Sequence, residues 1–280
     1  MGGRIVVALV CCGLLLELCH GGGGLPRIIN GGNATAKQFP YQVFYDTFVL
    51  EDSSFWRPTC GGTLVSRRIV LTAAHCFALD PYIKALRIYL GAVDKSSASE
   101  EGQRRLVVDR CCVVIHEEFQ PLTWYNDIAL IRLPVNVPFS EYIRAARLPQ
   151  PANDYVNAEA TVSGWGAYQA SASGELLWHD RLKYYDIGVI SNEECEERRR
   201  PLVPGMFPAS FICIAPSGNA PCRKDSGGPL VLKDGGDFVL LGVTSHGLSR
   251  NCTTHLPTVY TRVSSFLDWI RQHSGAQIEI

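Results

Sequence analysis

Lys224-Asp225-Ser226-Gly227-Gly228-Pro229 leads directly into the apolar run Pro229 to Leu232. A serine between an acid and two glycines, just before an apolar strand, can be held in a tight turn with its hydroxyl exposed. Glycine has no Cβ, so it permits the turn and lets a substrate backbone come close. A plain surface loop has a similar composition, so the segment needs partners before it means chemistry. Two other segments supply them. Leu71-Thr-Ala-Ala-His75-Cys76 puts a histidine at the end of a β-rich apolar run, and Asn126-Asp127-Ile128-Ala-Leu-Ile-Arg-Leu133 puts an acid at the mouth of an apolar strand. A carboxylate buried there without a partner is costly, and an imidazole N–H is a suitable partner. Taken singly, each is also compatible with a structural role: a histidine capping a core, an acid opening a strand.

The chain around these segments has 280 residues, 46% of them hydrophobic and 19% charged. That is ordinary globular composition with length for a large core. The formal net charge is -1 and no basic stripe appears, which argues against nucleic acid and against an anionic membrane surface as partners. Arg4 precedes the apolar run Ile5 to Leu18, which is broken only by Glu17, and Cys19 and Gly21 follow with cleavage-site spacing. Residues 1–21 therefore read as a secretory signal peptide. The 14 residues of the run are too few to span a bilayer comfortably, and no later run is longer. Of the 11 cysteines, Cys11, Cys12 and Cys19 leave with the signal, so eight remain in an oxidising compartment. No Cys-x-x-Cys pair is present, so a zinc site or dithiol redox chemistry lacks its usual spacing. Disulfides are the default, and spacing alone leaves their connectivity open.

Residues 22–27 form a Gly-rich stretch ending in the basic Arg27, and Ile28-Ile29-Asn30-Gly31-Gly32 opens an apolar, β-branched pattern. From there the chain is all-β in character. Gly62 to Val65, Ile69 to Thr72, Ile128 to Leu133, Ala160 to Val162, Pro229 to Leu232, Phe238 to Val243 and Val259 to Val263 read as short strands between Gly, Pro, Asn and Asp. Only the end has helical spacing, at Val263, Phe266, Leu267 and Ile270, with Ser264 or Ser265 available as N-cap. The Pro-rich stretch Leu133 to Pro151 reads as a connector between two halves. Asn33-Ala-Thr35 and Asn251-Cys-Thr253 are glycosylation sequons. Glu193 to Arg200 reads as a solvated charged loop. Glu100 and Glu101 lack recognisable calcium-ligand spacing, and no metal or cofactor is expected.

The order His75, Asp127, Ser226, with these flanking words, resembles the chymotrypsin-like (trypsin-fold) serine proteases over about Ile28 to Ile270. Subtilisin-like enzymes and α/β-hydrolases present the same groups in other orders. The resemblance implies an all-β fold of two six-stranded antiparallel β-barrels with a C-terminal α-helix. The barrels would cover about 28–140 and 141–262 of a protease domain at 28–280, the helix about 263–274. Ser226 would be the nucleophile, His75 its general base and then acid, Asp127 the group orienting His75, and the N–H groups of Lys224 and Ser226 the oxyanion hole. Ser245 matches the serine that supports the buried acid. Cys60–Cys76, Cys195–Cys213 and Cys222–Cys252 would be disulfides. Arg27-Ile28 would be the activation bond of a zymogen, the freed ammonium of Ile28 inserting beside Asp225.

The resemblance also places a substrate pocket. Ala220, followed by Pro221, stands at its base where an acid selects Arg or Lys; Ser245 to Gly247 and Pro257 to Tyr260 form its walls. Gly247 leaves the entrance open and Thr258 narrows the interior. The expected preference before the scissile bond is therefore apolar. The implied partners are protein or peptide substrates, an activating trypsin-like protease and protein inhibitors, for a secreted, extracellular monomer. Three features depart from the family's pattern: Lys224 stands where glycine is usual, His246 where tryptophan is usual, and Cys111-Cys112 has no counterpart. Lys224 favours a rival reading, a catalytically silent homologue acting as a binding or regulatory module; the retained His75, Asp127 and Ser226 favour an enzyme.

Overall fold

Two antiparallel sheets carry the chain, and several of their strands, Ile69–Thr72, Ala129–Arg132 and Pro229–Asp234 among them, fall on apolar runs of the sequence. The computed structural model describes residues 31–50, 55–151, 153–167, 169–170, 176–200, 207–217, 221–247, 256–275 and 278. One sheet runs in the order Arg104–Asp109, Ile83–Leu90, Gln42–Val49, Phe55–Leu64, Ile69–Thr72, Ala129–Arg132, Val113–Ile115. It curls into a half-barrel whose two end segments are joined by the short 3-10 turn Arg110–Cys112. Counting 104–115 as one bent strand gives six. The other sheet runs Gly32–Asn33, Lys183–Ile190, Phe211–Ile214, Thr258–Arg262, Asp237–His246, Pro229–Asp234, Glu159–Gly164. Its last strand pairs back onto Lys183–Ile190, from Lys183 opposite Gly164 to Gly188 opposite Glu159, closing a six-stranded barrel. The all-β class, the barrel pair and the C-terminal helix are those the resemblance implied.

Each half has its own apolar centre. Tyr45, Leu64, Leu71, Leu86, Ile88 and Leu130 are buried in the first half, and Val162, Val189, Ile212, Leu230 and Tyr260 in the second. The Pro-rich connector makes no strand; Arg147 N–H donates to Phe238 and Leu240 N–H donates back to Arg147, tying it to the second half.

Two local readings change. Glu193 to Arg199 lies in the helix Asn192–Arg199, because Ser191 caps it by accepting from Glu194 N–H at 3.1 Å. Glu194 and Arg198 then pair one turn apart at 2.8 Å. The C-terminal helix begins as a 3-10 turn at Val263–Phe266 and continues as Leu267–Ser274, with no side-chain cap from Ser264 or Ser265. Val263, Phe266, Leu267 and Ile270 are buried as their spacing requires. Glu100 accepts from the backbone N–H groups of Val93 and Asp94, so its carboxylate fastens a turn of protein. Arg132, on the first sheet, donates through Nε and a terminal nitrogen to the carbonyl of His273 at 3.1 and 2.6 Å, and Trp269 Nε1 donates to Glu117 at 2.8 Å. Cys111 is an exposed free thiol and Cys112 a half-buried one, both on the 3-10 turn.

Candidate active site

Strand Ile69–Thr72 ends at Thr72, and His75 opens the one-turn helix His75–Ala78. The disulfide Cys60–Cys76 fixes that turn to the neighbouring strand. Asp127 sits just ahead of strand Ala129–Arg132, fully buried. Its Oδ1 accepts from His75 backbone N–H at 2.9 Å, and its Oδ2 faces His75 Nδ1 at 2.8 Å. Ser245 Oγ–H donates to the same Oδ2 at 2.6 Å, and Thr261 Oγ1 donates to the Asp127 carbonyl at 2.8 Å. Burial alone raises a carboxyl's pKa. Here the adjacent His75 and the hydrogen bonds from His75 and Ser245 outweigh it and hold Asp127 below the usual carboxylate range. The imidazole is thus gripped on its Nδ1 side, leaving Nε2 toward the cleft.

Ser226 comes from the second half. Asp225 N–H donates to Cys222 carbonyl at 3.0 Å, closing a turn whose third residue, Lys224, has φ 74°. Positive φ at that place alone defines a type II turn, which favours glycine; Lys224 occupies it with the strain of a non-glycine residue. Gly227 also has positive φ, 76°, and a Cβ there would lie 2.2 Å from Thr72 Oγ1, so its glycine is dictated by close approach of the two halves. Gly61 N–H donates to the Ser226 carbonyl at 2.8 Å, fixing the turn against the first half. The N–H groups of Lys224 and Ser226 have no acceptor among the described residues. Ser226 and His75 line one cleft of about 570 Å³ with Arg57, Lys224 and Trp178. No hydrogen bond joins them directly among the described residues, and such contacts commonly tighten only with substrate in place.

Asp225 is buried beside Gly164 and Gly166. It accepts from Gly166 N–H at 2.7 Å and Cys222 N–H at 3.0 Å. Burial outweighs those bonds and raises its pKa to about 6. A Cβ on Gly164 or Gly166 would fall 2.0 or 2.2 Å from its carboxylate oxygens, so both glycines make room for this acid.

The remaining site expectations divide. Cys195–Cys213 is bonded as implied. Cys222 is disulfide-bonded, and its expected partner Cys252 lies outside the described residues. So do Arg27, Ile28, Ala220 and Asn251. Pro221 is half-buried, Ser245 and Thr258 are buried, and Gly247 is exposed with open space where a Cβ would be. Asn33 is exposed and its Oδ1 accepts from Lys183 Nζ. Cys60, His75 and Cys76 come close enough together to hold a metal, but both sulfurs are spent in the disulfide.

Three residues at the site carry no local sequence signal. Trp124, with φ 61°, sets its ring edge-on to His75 at 5.1 Å and stacked on His246 at 5.6 Å. Trp178 lies under Lys224 Nζ, 3.7 Å from the ring centre. Arg199 is buried, donates to Pro257 carbonyl at 2.8 Å, and makes no ion pair among the described residues; burial lowers its pKa to about 10.

An imidazole backed by a buried carboxylate and sharing a cleft with a half-buried serine, between two β-barrels, is the arrangement of a serine endopeptidase. The Trypsin family profile matches residues 28–270. A collagenase of Hypoderma lineatum is 36% identical over 253 residues, covering 89% of this chain and 88% of that protein. A chymotrypsin of Phaedon cochleariae is 36% identical over 252 residues, covering 89% and 82%. The solved structure of HL collagenase superposes with a TM-score of 0.75 at 34% identity, over 90% of this chain and 100% of that one. The chain belongs to the trypsin family, and it is a serine endopeptidase.

Proposed function

We propose that this endopeptidase acts through His75, Asp127 and Ser226 by way of an acyl-enzyme. Ser226 Oγ attacks the peptide carbonyl while His75 Nε2 takes its proton; His75 then returns that proton to the leaving amine. Asp127 holds the tautomer of His75 and stabilises the imidazolium. Lys224 N–H and Ser226 N–H receive the oxyanion, a task in which one donor is worth about 3–4 kcal/mol of barrier. The reading is carried by one observation: Asp127 grips both the backbone N–H and Nδ1 of His75, at 2.9 and 2.8 Å, in the half that faces Ser226. The positive φ of Lys224 also bears on the silent-homologue rival, because the turn keeps the shape a glycine would give it. The test is labelling by a fluorophosphonate probe after cleavage at Arg27. The cut protein should react and its Ser226→Ala variant should not. Peptidase activity persisting in that folded variant would end the assignment.

Activation belongs to the same proposal. Residues 1–21 are a signal peptide, 22–27 the activation segment, and 28–280 the protease domain of a secreted zymogen, cut after Arg27 by a trypsin-like protease. Asp225, buried with two N–H donors and a pKa raised to about 6, awaits a cation. The α-ammonium of Ile28 is that cation, and a buried pair of this kind switches a loop because either charge alone is costly to bury. Asn33, and less readily Asn251 beside Cys252, would carry glycans. The protein works as a monomer, on protein or peptide substrates, and is open to protein inhibitors.

The preference before the scissile bond is apolar. Ala220 offers no countercharge, and buried Thr258 narrows the interior. Arg199, buried behind the Pro257 carbonyl, adds positive charge to that wall and repels a cationic side chain. Leu, Met, Val or Ala suit such a pocket better than large aromatics.

A further inference from the structure

We propose that His246 is a positioning residue of the catalytic centre, donating through Nδ1–H to Ser245 and so completing a four-residue chain to His75. The inference rests on the triad reading above.

Ser245 Oγ lies 2.6 Å from Asp127 Oδ2 and 3.1 Å from His246 Nδ1. Asp127, held ionised, has no proton to give, so both groups facing it must donate. Ser245 has a single hydroxyl proton and spends it on that carboxylate. Its oxygen is therefore the acceptor toward His246, and Nδ1 must carry the proton. Burial first, then the nearby Arg199, lowers the His246 pKa to about 3, with Asp127 pulling the other way and His75 adding to the lowering. The ring is neutral at working pH and holds one proton, so Nε2 is bare. The chain runs His246 Nδ1–H to Ser245 Oγ–H to Asp127 Oδ2, which His75 Nδ1–H meets from the other side at 2.8 Å.

The ring is also fixed in place. Trp124 stacks on it at 5.6 Å with planes 23° apart, and Phe211 meets it edge-on at 5.6 Å. Hydrogen bonds in series polarise one another. The donation from His246 strengthens Ser245 as a donor and draws charge away from the Asp127 oxygen that faces His75. It also occupies the Ser245 oxygen on the side away from Asp127. A ring without a donor at this position can fill the same space, but it leaves the Ser245 oxygen without its partner and the hydroxyl held by Asp127 alone.

The test uses the cut, full-length enzyme. Phe at 246 keeps a ring between Trp124 and Phe211 and removes only the donor. His246→Phe should lower kcat about three- to tenfold, the worth of one hydrogen bond. It should also move the acid limb of the kcat/KM–pH profile upward, because more charge is left on Asp127 to favour the imidazolium. An unmoved limb with unchanged kcat in a folded variant overturns the proposal. Independently of activity, and even if that variant fails to fold, 15N spectra of histidine-labelled protein with Ser226→Ala should show His246 protonated at Nδ1 and bare at Nε2 between about pH 5 and 8. A bare Nδ1 overturns the proposal. Loss of the triad reading would instead appear as a wild-type enzyme that the fluorophosphonate probe does not label.

Discussion

Cutting the chain after Arg27 should change how stability depends on pH, and Asp225 sets the size of the change. In the uncut chain this carboxyl is buried, has two N–H donors, and titrates near about 6 instead of 3.8. An acid whose folded pKa is raised binds its proton more tightly when folded, so stability falls as pH climbs from the unfolded value through the folded one. Roughly two pH units of displacement correspond to about 3 kcal/mol, lost between about pH 4 and 6. In the activation proposed above the cut form would supply the Ile28 ammonium, which would lower the pKa of Asp225 and remove the loss. The measurement is urea unfolding from about pH 4 to 7 on the Ser226→Ala protein, which cannot digest itself, before and after cleavage. Asp225→Asn in the same background isolates this one group from the other carboxylates. Relative to Asn, the uncut protein should lose about 3 kcal/mol across that window and the cut protein should not. Equal slopes for cut and uncut protein, or a slope that survives Asp225→Asn, would show that Asp225 is not the group the ammonium neutralises.

Ser245→Ala removes a 2.6 Å bond to a buried carboxylate, worth about 1.5–3 kcal/mol, and should lower kcat by about ten- to a hundredfold in steady-state assays. Lys224→Gly relieves about 1–2 kcal/mol of left-handed strain. It also forfeits the stacking on Trp178 and adds unfolded-chain freedom of about 0.5–1 kcal/mol each. The unfolding midpoint should hardly move and kcat should stay level or rise; a large fall in kcat with intact folding would mean the lysine contributes actively. On matched peptides differing only before the scissile bond, kcat/KM should favour Leu, Met, Val or Ala over Arg and Lys, with soft steps of about 1–3 kcal/mol per methylene; a preference for Arg or Lys refutes the pocket argument.

The parts of the fold legible in the sequence are those where burial is strictly one-sided or complete. Ile69–Thr72 is apolar at nearly every position and was readable to the residue. Ile83–Leu90 was not, because Lys84 and Arg87 interrupt its apolar pattern. Arg87 is accommodated because Asp46 reaches it at 2.6 Å from the neighbouring strand, a pairing made across the sheet and invisible along the chain. Lys183–Ile190 hides the same way, behind Lys183 and Asp186. The helix Asn192–Arg199 did carry its signal, Ser191 followed three residues later by Glu194. The proposed triad was legible because each member sits at the boundary of a recognisable strand or turn. Trp124 was not, since its place depends on a left-handed backbone and on His246, far away in the chain.

The C-terminal helix belongs by sequence to the second half, yet its last turn is moored to the first: Arg132 holds the His273 carbonyl and Glu117 holds both Trp269 and His273. The tail works as a strap buckled across the seam of a clasped case. Loose chain ends are where proteolytic nicking concentrates. A tail trimmed back to Ile270 loses both ties at His273 and keeps only that of Trp269 to Glu117, while the apolar core that Val231, Leu240 and Ile270 share with the first half still holds the two together.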